Sequence, residues 1–268
     1  MSKAPAMNLE VITRQPETTS RKTPLLFVHG AWHGAWCWED TFLPHFARQG
    51  YAAHALSLRG HGESAGRDRL RWTRIRDYVA DVEQVVATLN TPPVIIAHSL
   101  GGFVIQKYLE NNRPPAAVLL APIPTHGALP FYLRFFARHP LAYLKLLFTL
   151  SPYHMVGTPE LTHEGFFSAD MPRTQVNTHF ARIQEESFRA ALDVALLDLP
   201  RPKPVITPML VLGAANDRIF TVSEIEKTAR AYHTDAEIFP DMAHDMMLDS
   251  GWEAVADRII AWLDEREL

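Results

Sequence analysis

A short apolar run meets a serine with no loop in between, and a helical pattern starts at once: Pro93-Val94-Ile95-Ile96-Ala97-His98-Ser99-Leu100-Gly101-Gly102-Phe103-Val104-Ile105-Gln106. The run before Ser99 reads as a strand buried on both faces, and the stretch after it as a helix. A serine wedged between such elements is forced into a strained backbone conformation, with its hydroxyl standing clear of the sheet. Backbone and helix come so close there that the residues two positions to either side must be small. Ala97 and Gly101 meet that need.

A literal Gly-x-Ser-x-Gly occurs elsewhere, at Gly62-Glu63-Ser64-Ala65-Gly66. A string this short arises by chance in roughly one chain in ten of this length at average residue usage, so the surroundings decide. Ser64 lies in the polar, glycine-rich stretch 59–68 with no apolar helix after it, which is loop composition. Ser99 is therefore the candidate nucleophile and Ser64 a turn residue. Strand, serine and helix at 93–106 resemble the nucleophile elbow of the α/β-hydrolase superfamily.

Strands are expected at 9–13, 24–28, 51–58, 93–97, 116–120, 208–213 and 236–239. Helices are expected at 38–49, 75–89, from Ser99 to Asn112, at 221–232 and at 252–267. The alternation predicts an α/β fold, a doubly wound, mostly parallel sheet covered on both faces. Residues 123–200 break the rhythm. They are rich in apolar and aromatic side chains, and Pro124, Pro130, Pro140, Pro152, Pro159 and Pro172 cut them into short helices. Entering just after the strand beside the elbow, this stretch reads as an inserted helical cap on a core of 1–122 and 201–268. The bland alternative is extra core helices.

At 268 residues, 47% of them hydrophobic, the chain can bury one substantial core and a small lid. A net charge of −4 without a long basic run argues against a nucleic-acid partner. No apolar stretch reaches bilayer length, and residues 1–8 lack an apolar signal core, so a cytoplasmic protein without stable membrane insertion is expected. Cys37 is the single cysteine, which excludes an internal disulfide and favours a buried apolar role over a reactive thiol.

A serine hydroxyl is a poor nucleophile at neutral pH and needs a base that a third group orients. The superfamily resemblance implies the chain order nucleophile, acid, histidine, each on a loop after a strand. Asp217, closing the apolar run that starts at Met209, takes the acid's place. The position one strand beyond the elbow, Leu120-Ala121-Pro122, holds no carboxylate, and Asp193 and Asp198 fall in cap or linker. His244 is the single histidine between the last strand and the last helix, and takes the base's place. The expected oxyanion donors are the N–H groups of Leu100 and Ala31, with Trp32 as the alternative to Ala31. His29 and His33 have i, i+4 spacing but sit around glycines in a loop, so neither a metal nor a cofactor is expected.

The stretch His29-Gly30-Ala31-Trp32-His33-Gly34-Ala35-Trp36-Cys37-Trp38 is also similar to the branch holding plant methyl esterases and hydroxynitrile lyases. Those lyases carry a lysine just after the catalytic histidine, whereas Asp245 follows His244 here, an acid that would repel cyanide. The resemblance implies a serine hydrolase that cleaves carboxylic esters of apolar, small-to-medium substrates through an acyl-enzyme. Carbon–carbon bond hydrolases, lyases and cofactor-free oxygenases share the triad, and a ligand receptor can keep such a pocket without turnover; these stand as alternatives. Trp32, Trp36, Phe131 and Phe135 are expected to line the apolar substrate pocket. Glu185 and Glu186 could put a polar handle in that pocket, but a solvated helix face is the expected place for them. An exposed apolar cap would support a homodimer.

Overall fold

Seven strands, β1 (Val11–Arg14), β2 (Leu25–Val28), β3 (Ala53–Leu56), β4 (Val94–His98), β5 (Ala117–Leu120), β6 (Met209–Ala214) and β7 (Ala236–Phe239), form one sheet in the order β1-β3-β2-β4-β5-β6-β7 in a computed structural model that describes residues 6–16 and 19–268. The first five residues of the expected leaderless N-terminus thus lie outside the described residues. β1 runs antiparallel to β3, and every other pairing is parallel. β2, β4, β5 and β6 are buried along their whole length, which requires cover on both faces. That is why they read as continuous apolar runs rather than as alternating ones.

The helices are α1 (Trp36–Glu39), α2 (Phe42–Arg48), α3 (Ile75–Val86), α4 (Ser99–Tyr108), α5 (Leu129–Arg138), α6 (Pro140–Thr149), α7 (Pro159–Phe166), α8 (Arg173–Phe180), α9 (Phe188–Leu192), α10 (Val222–Ala231) and α11 (Trp252–Asp264). α3 packs on α4, and α2 on α11. Phe27 of β2 sits 5.3 Å from Trp38 and 5.4 Å from Phe46, centroid to centroid, an aromatic cluster that fastens α1 and α2 to the sheet. No helix among the described residues is long and apolar enough to cross a membrane.

One helix was expected over 38–49, yet α1 and α2 are separate. Pro44 is the reason: it has no N–H to give to Asp40, and in a continuous helix its ring would strike that residue's carbonyl. The chain breaks at Thr41 and restarts with Pro44 in the first turn of α2, where a missing N–H costs nothing. Between β5 and β6 the described residues hold helices α5 to α9 and no strand, with α9 running on as a π-helical turn at Asp193–Leu197.

The chain leaves β2, builds β3 on one side, then crosses to place β4 on the other side. The loops after β2 and β4 therefore diverge at a topological switch point, and a crevice opens at the carboxyl ends of these two strands. His29–Trp32 and Ser99 lie there.

Candidate active site

Ser99 is the first residue of α4 and has a φ of 49°, in the left-handed region that a residue with a β-carbon seldom adopts. The close approach that holds it there is visible at Gly101. A β-carbon on Gly101 would lie 2.6 Å from the Val28 carbonyl oxygen, and nearer still to that of His29. Gly30, in the loop after β2, faces the elbow from the other side, where a β-carbon would stand 3.0 Å from that of Ser99. The strand β4 and the loop after β2 thus clamp the serine between backbones, and its hydroxyl projects away from the sheet.

The three candidate triad residues come together beyond the carboxyl ends of β4, β6 and β7. His244 Nε2 lies 2.9 Å from Ser99 Oγ, and His244 Nδ1 lies 2.8 Å from Asp217 Oδ2. Asp217 Oδ1 accepts the N–H groups of Ile219 at 2.7 Å and Phe220 at 3.0 Å, which fixes the carboxylate for its second oxygen to face the imidazole. With Nδ1–H given to Asp217, Nε2 is left to accept the serine proton. The Phe166 and Phe220 rings flank His244, with centroids 6.1 and 5.5 Å away.

Ser99, Leu100, Ala31 and Trp32 share a cavity. Neither the Ala31 nor the Leu100 N–H donates to another group among the described residues. Two unused donors beside a serine hydroxyl are what a developing oxyanion needs. Trp32, the alternative donor, is itself in the left-handed region, with φ 65°, and its carbonyl accepts the Gln184 N–H at 3.0 Å. The rest of the wall is chiefly apolar: Ile123, Phe131, Tyr132, Val194, Ile219 and Phe220.

Two expected pocket residues lie elsewhere. Trp36 is turned by α1 toward His33, whose ring it stacks on at 5.2 Å, and the Arg182 guanidinium lies 4.7 Å over its outer face. Phe135, a turn beyond Phe131 on α5, opens on a second chamber described below. Conversely, Tyr132, Ile219 and Phe220 line the cavity without having been singled out. The last two stand two and three positions after Asp217, so their nearness to the acid was a usable signal.

Glu186 overturns a further expectation. It lies in an extended segment rather than on a helix, is buried, and is the one charged residue on the cavity wall among those described. His61 Nε2 stands 3.1 Å from its Oε2, and Tyr78 Oη donates to its Oε1 at 2.7 Å. Burial alone would push this carboxyl up, but His61, Tyr78 and the Ser187 N–H together outweigh it and hold the pKa below the usual carboxylate range. Gln184 in the same segment accepts the Gly62 N–H and donates to the Gly60 carbonyl, both at 2.9 Å. The return from the helical insertion is thus sewn onto the turn that carries Ser64. Ser64 itself donates to the Ser57 carbonyl and accepts the Glu10 N–H, well away from the cavity.

Buried histidines back the site. His29 accepts the Leu58 N–H at Nε2, so its Nδ1–H goes to the Gly30 carbonyl. His33 Nδ1–H donates to the Ala31 carbonyl, and its Nε2 stands 3.0 Å from Asp245 in a close ion contact. Burial works against charge in both members of that pair, but each partner outweighs it, raising the His33 pKa and lowering that of Asp245. The Asp245 carboxylate is therefore engaged with His33. Asp245 also groups with His98 and His244 as side chains close enough to share a metal ion, but the His98 Nε2–H already serves the His244 carbonyl and both His244 nitrogens face Ser99 and Asp217. Those donors do not suit a metal. Cys37 is buried, and burial lifts its thiol pKa well above the ordinary range.

Comparison with known proteins agrees with the fold. The profile described as "Alpha/beta hydrolase family" matches residues 25–258. A carbendazim hydrolyzing esterase of Nocardioides sp. is 32% identical over 38% of this chain and 43% of its own length. Methylesterase 3 of Arabidopsis thaliana is 32% identical over 34% of this chain and 35% of its own. The chain thus spans less than half the length of either relative. A thermophilic esterase from Thermogutta terrifontis superposes with a TM-score of 0.75, at 18% identity over 98% of this chain and 95% of that one.

Proposed function

Because this chain belongs to the alpha/beta hydrolase family, we propose that it is a serine hydrolase that cleaves carboxylic esters of apolar, small-to-medium substrates. The observation that carries this reading is the continuous relay Asp217–His244–Ser99, which ends beside two unused backbone donors in an apolar cavity. Esterases among the relatives support the same chemistry.

In the proposed cycle His244 Nε2 takes the Ser99 proton as Oγ adds to the ester carbonyl. Asp217 holds the imidazole's orientation and balances the charge it gains. The oxyanion sits between the Ala31 and Leu100 N–H groups, which need no rearrangement to receive it. Collapse expels the alcohol with a proton from His244 and leaves the acyl group on Ser99. Water, deprotonated by His244, then releases the acid. In this reading residues 123–200 are a cap on the core of 1–122 and 201–268, and α5 and α9 supply the cavity wall facing Ser99.

Hydrolysis of p-nitrophenyl esters from acetate to decanoate by wild type and Ser99→Ala tests the proposal. Turnover in the wild type that drops on the order of a millionfold in kcat in the variant supports it. A folded wild type with no turnover on any chain length overturns it and favours lyase, carbon–carbon hydrolase or receptor roles.

A further inference from the structure

A second chamber adjoins the Ser99 cavity and is lined by basic side chains that the inner one lacks. The two share Trp32, Phe131 and Ile219 as common walls. The rim of the outer one carries Arg134, Arg138, His139 and Arg218 against a single carboxylate, Glu164. Arg134 is neutralised from outside the chamber: it grips Glu224 with both terminal nitrogens, at 3.0 and 2.8 Å, and gives a third bond to the Ile219 carbonyl. The other three basic side chains converge on one oxygen. Arg138 Nη1 and His139 Nε2 each lie 3.2 Å from Glu164 Oε1, and Arg218 Nη1 lies 3.9 Å from it. One carboxylate cannot balance two guanidinium groups, so the rim keeps an excess positive charge. Both guanidiniums are more than half exposed and free to turn toward a ligand.

The inner cavity presents no basic side chain on its wall among the described residues. Its one charged wall residue among those described, Glu186, is held as a carboxylate by His61 and Tyr78. An anion therefore finds no basic partner beside Ser99 and is attracted at the outer rim, while Trp32, Phe131 and Ile219 offer an apolar passage between the two.

We propose that the outer chamber is an anion subsite for the substrate, built on Arg138 and Arg218. The inference rests on the ester-hydrolase reading and narrows its substrate class: an ester whose far end, beyond an apolar spacer, carries a carboxylate or similar anion. Arg218 follows Asp217 in the chain, so the loop that holds the triad acid also supplies the anion's partner. The inner wall sets the orientation, since it offers the charged end no basic partner.

The test pairs each charged ester with its neutral counterpart. On the acyl side, p-nitrophenyl hydrogen hexanedioate to decanedioate are compared with p-nitrophenyl hexanoate to decanoate. On the alcohol side, 6-acetoxyhexanoate is compared with hexyl acetate. In the wild type at low salt, one of the two series is expected to favour the charged ester by about tenfold in kcat/KM, through KM, as a charge-assisted contact supplies. The preference should shrink as salt rises. It should fall toward unity in an Arg138→Gln, Arg218→Gln double variant, with the neutral ester measured in the same protein as the internal reference.

A wild type that turns over the neutral esters through Ser99 but shows no charged preference in either series overturns the subsite and leaves the hydrolase reading intact. If no ester is turned over at all, calorimetric titration with octanoate, a single carboxylate on an apolar tail, decides separately. Binding that the double variant loses supports the subsite, and absence of binding to the wild type overturns it.

Discussion

His61 and Glu186 are 125 positions apart in the chain and meet at 3.1 Å, Nε2 to Oε2, in a fully enclosed contact. One belongs to the turn after β3 and the other to the return from the helical insertion, so this contact joins the insertion to the sheet. Tyr78 of α3 completes it from below with a 2.7 Å bond to the same carboxylate.

Removing that carboxylate leaves a buried imidazole and a buried phenol without their acceptor. Glu186→Ala is expected to destabilise the fold by about 3 kcal/mol, the scale for leaving buried hydrogen-bond donors without their charged acceptor. The urea unfolding midpoint reads it. A loss below about 1 kcal/mol would mean that water replaces the carboxylate and that the contact does not fasten the insertion.

Ser64 provides the control on which serine matters. Its hydroxyl bridges the Ser57 carbonyl at 2.6 Å and the Glu10 N–H at 2.8 Å, tying β1 to the turn after β3. Ser64→Ala should cost about 1–2 kcal/mol of stability through those unpaired backbone groups and leave Ser99-dependent ester turnover in place. Turnover lost in a folded Ser64→Ala protein would return the literal Gly-x-Ser-x-Gly to contention.

Asp217→Asn probes the relay without emptying space. Asparagine keeps an acceptor oxygen for the Ile219 and Phe220 N–H groups, but its amide then points N–H at His244 Nδ1, which favours the wrong imidazole tautomer. A drop in kcat of about 10⁴-fold is expected with KM little changed, the size seen for the same replacement in the protease triad. A loss below about tenfold would show that the imidazole is oriented by its surroundings, such as the Phe166 and Phe220 rings, rather than by the carboxylate.

How far the sequence reached depends on how local each signal was. The elbow was legible because an apolar strand, a serine and two glycines stand within ten positions, and Gly101 has no room for a side chain against β2. The parallel sheet was legible because strands buried on both faces have to be apolar throughout. Asp217 and His244 could be proposed because each follows a strand pattern, although their meeting with Ser99 is a tertiary fact. Side-chain direction was not legible. Trp32 and Trp36 repeat the same motif four residues apart, yet α1 turns the second toward His33 and Arg182, away from the cavity. Glu186 reads as solvated because it stands in a polar run, and its partners His61 and Tyr78 lie far away in the chain.

His98, the residue just before Ser99, gives the acid limb of stability a defined sign. Its ring is wholly buried, and burial first, then the neighbouring His244, pushes its pKa down to about 3. In the unfolded chain the same side chain takes up a proton near pH 6.5. Between those two values the unfolded state holds a proton that the folded state refuses, so stability falls as the pH is lowered through the window. One such group contributes up to about 1.4 kcal/mol per pH unit. His29, also lowered by burial, acts in the same direction, while His33, raised by Asp245, gains its stabilisation as pH falls from its folded pKa to 6.5 and adds no slope below that. The total slope therefore mixes several groups, and the difference between two proteins isolates one. His98→Gln removes this titration and keeps an amide N–H that can reach the His244 carbonyl, which His98 Nε2 serves at 3.0 Å. Urea midpoints measured from neutral pH downward should fall less steeply in His98→Gln than in wild type, by about one proton's worth of slope. Parallel slopes would mean that His98 does take up its proton in the fold, with Asp245, 3.7 Å away, as its counter-ion.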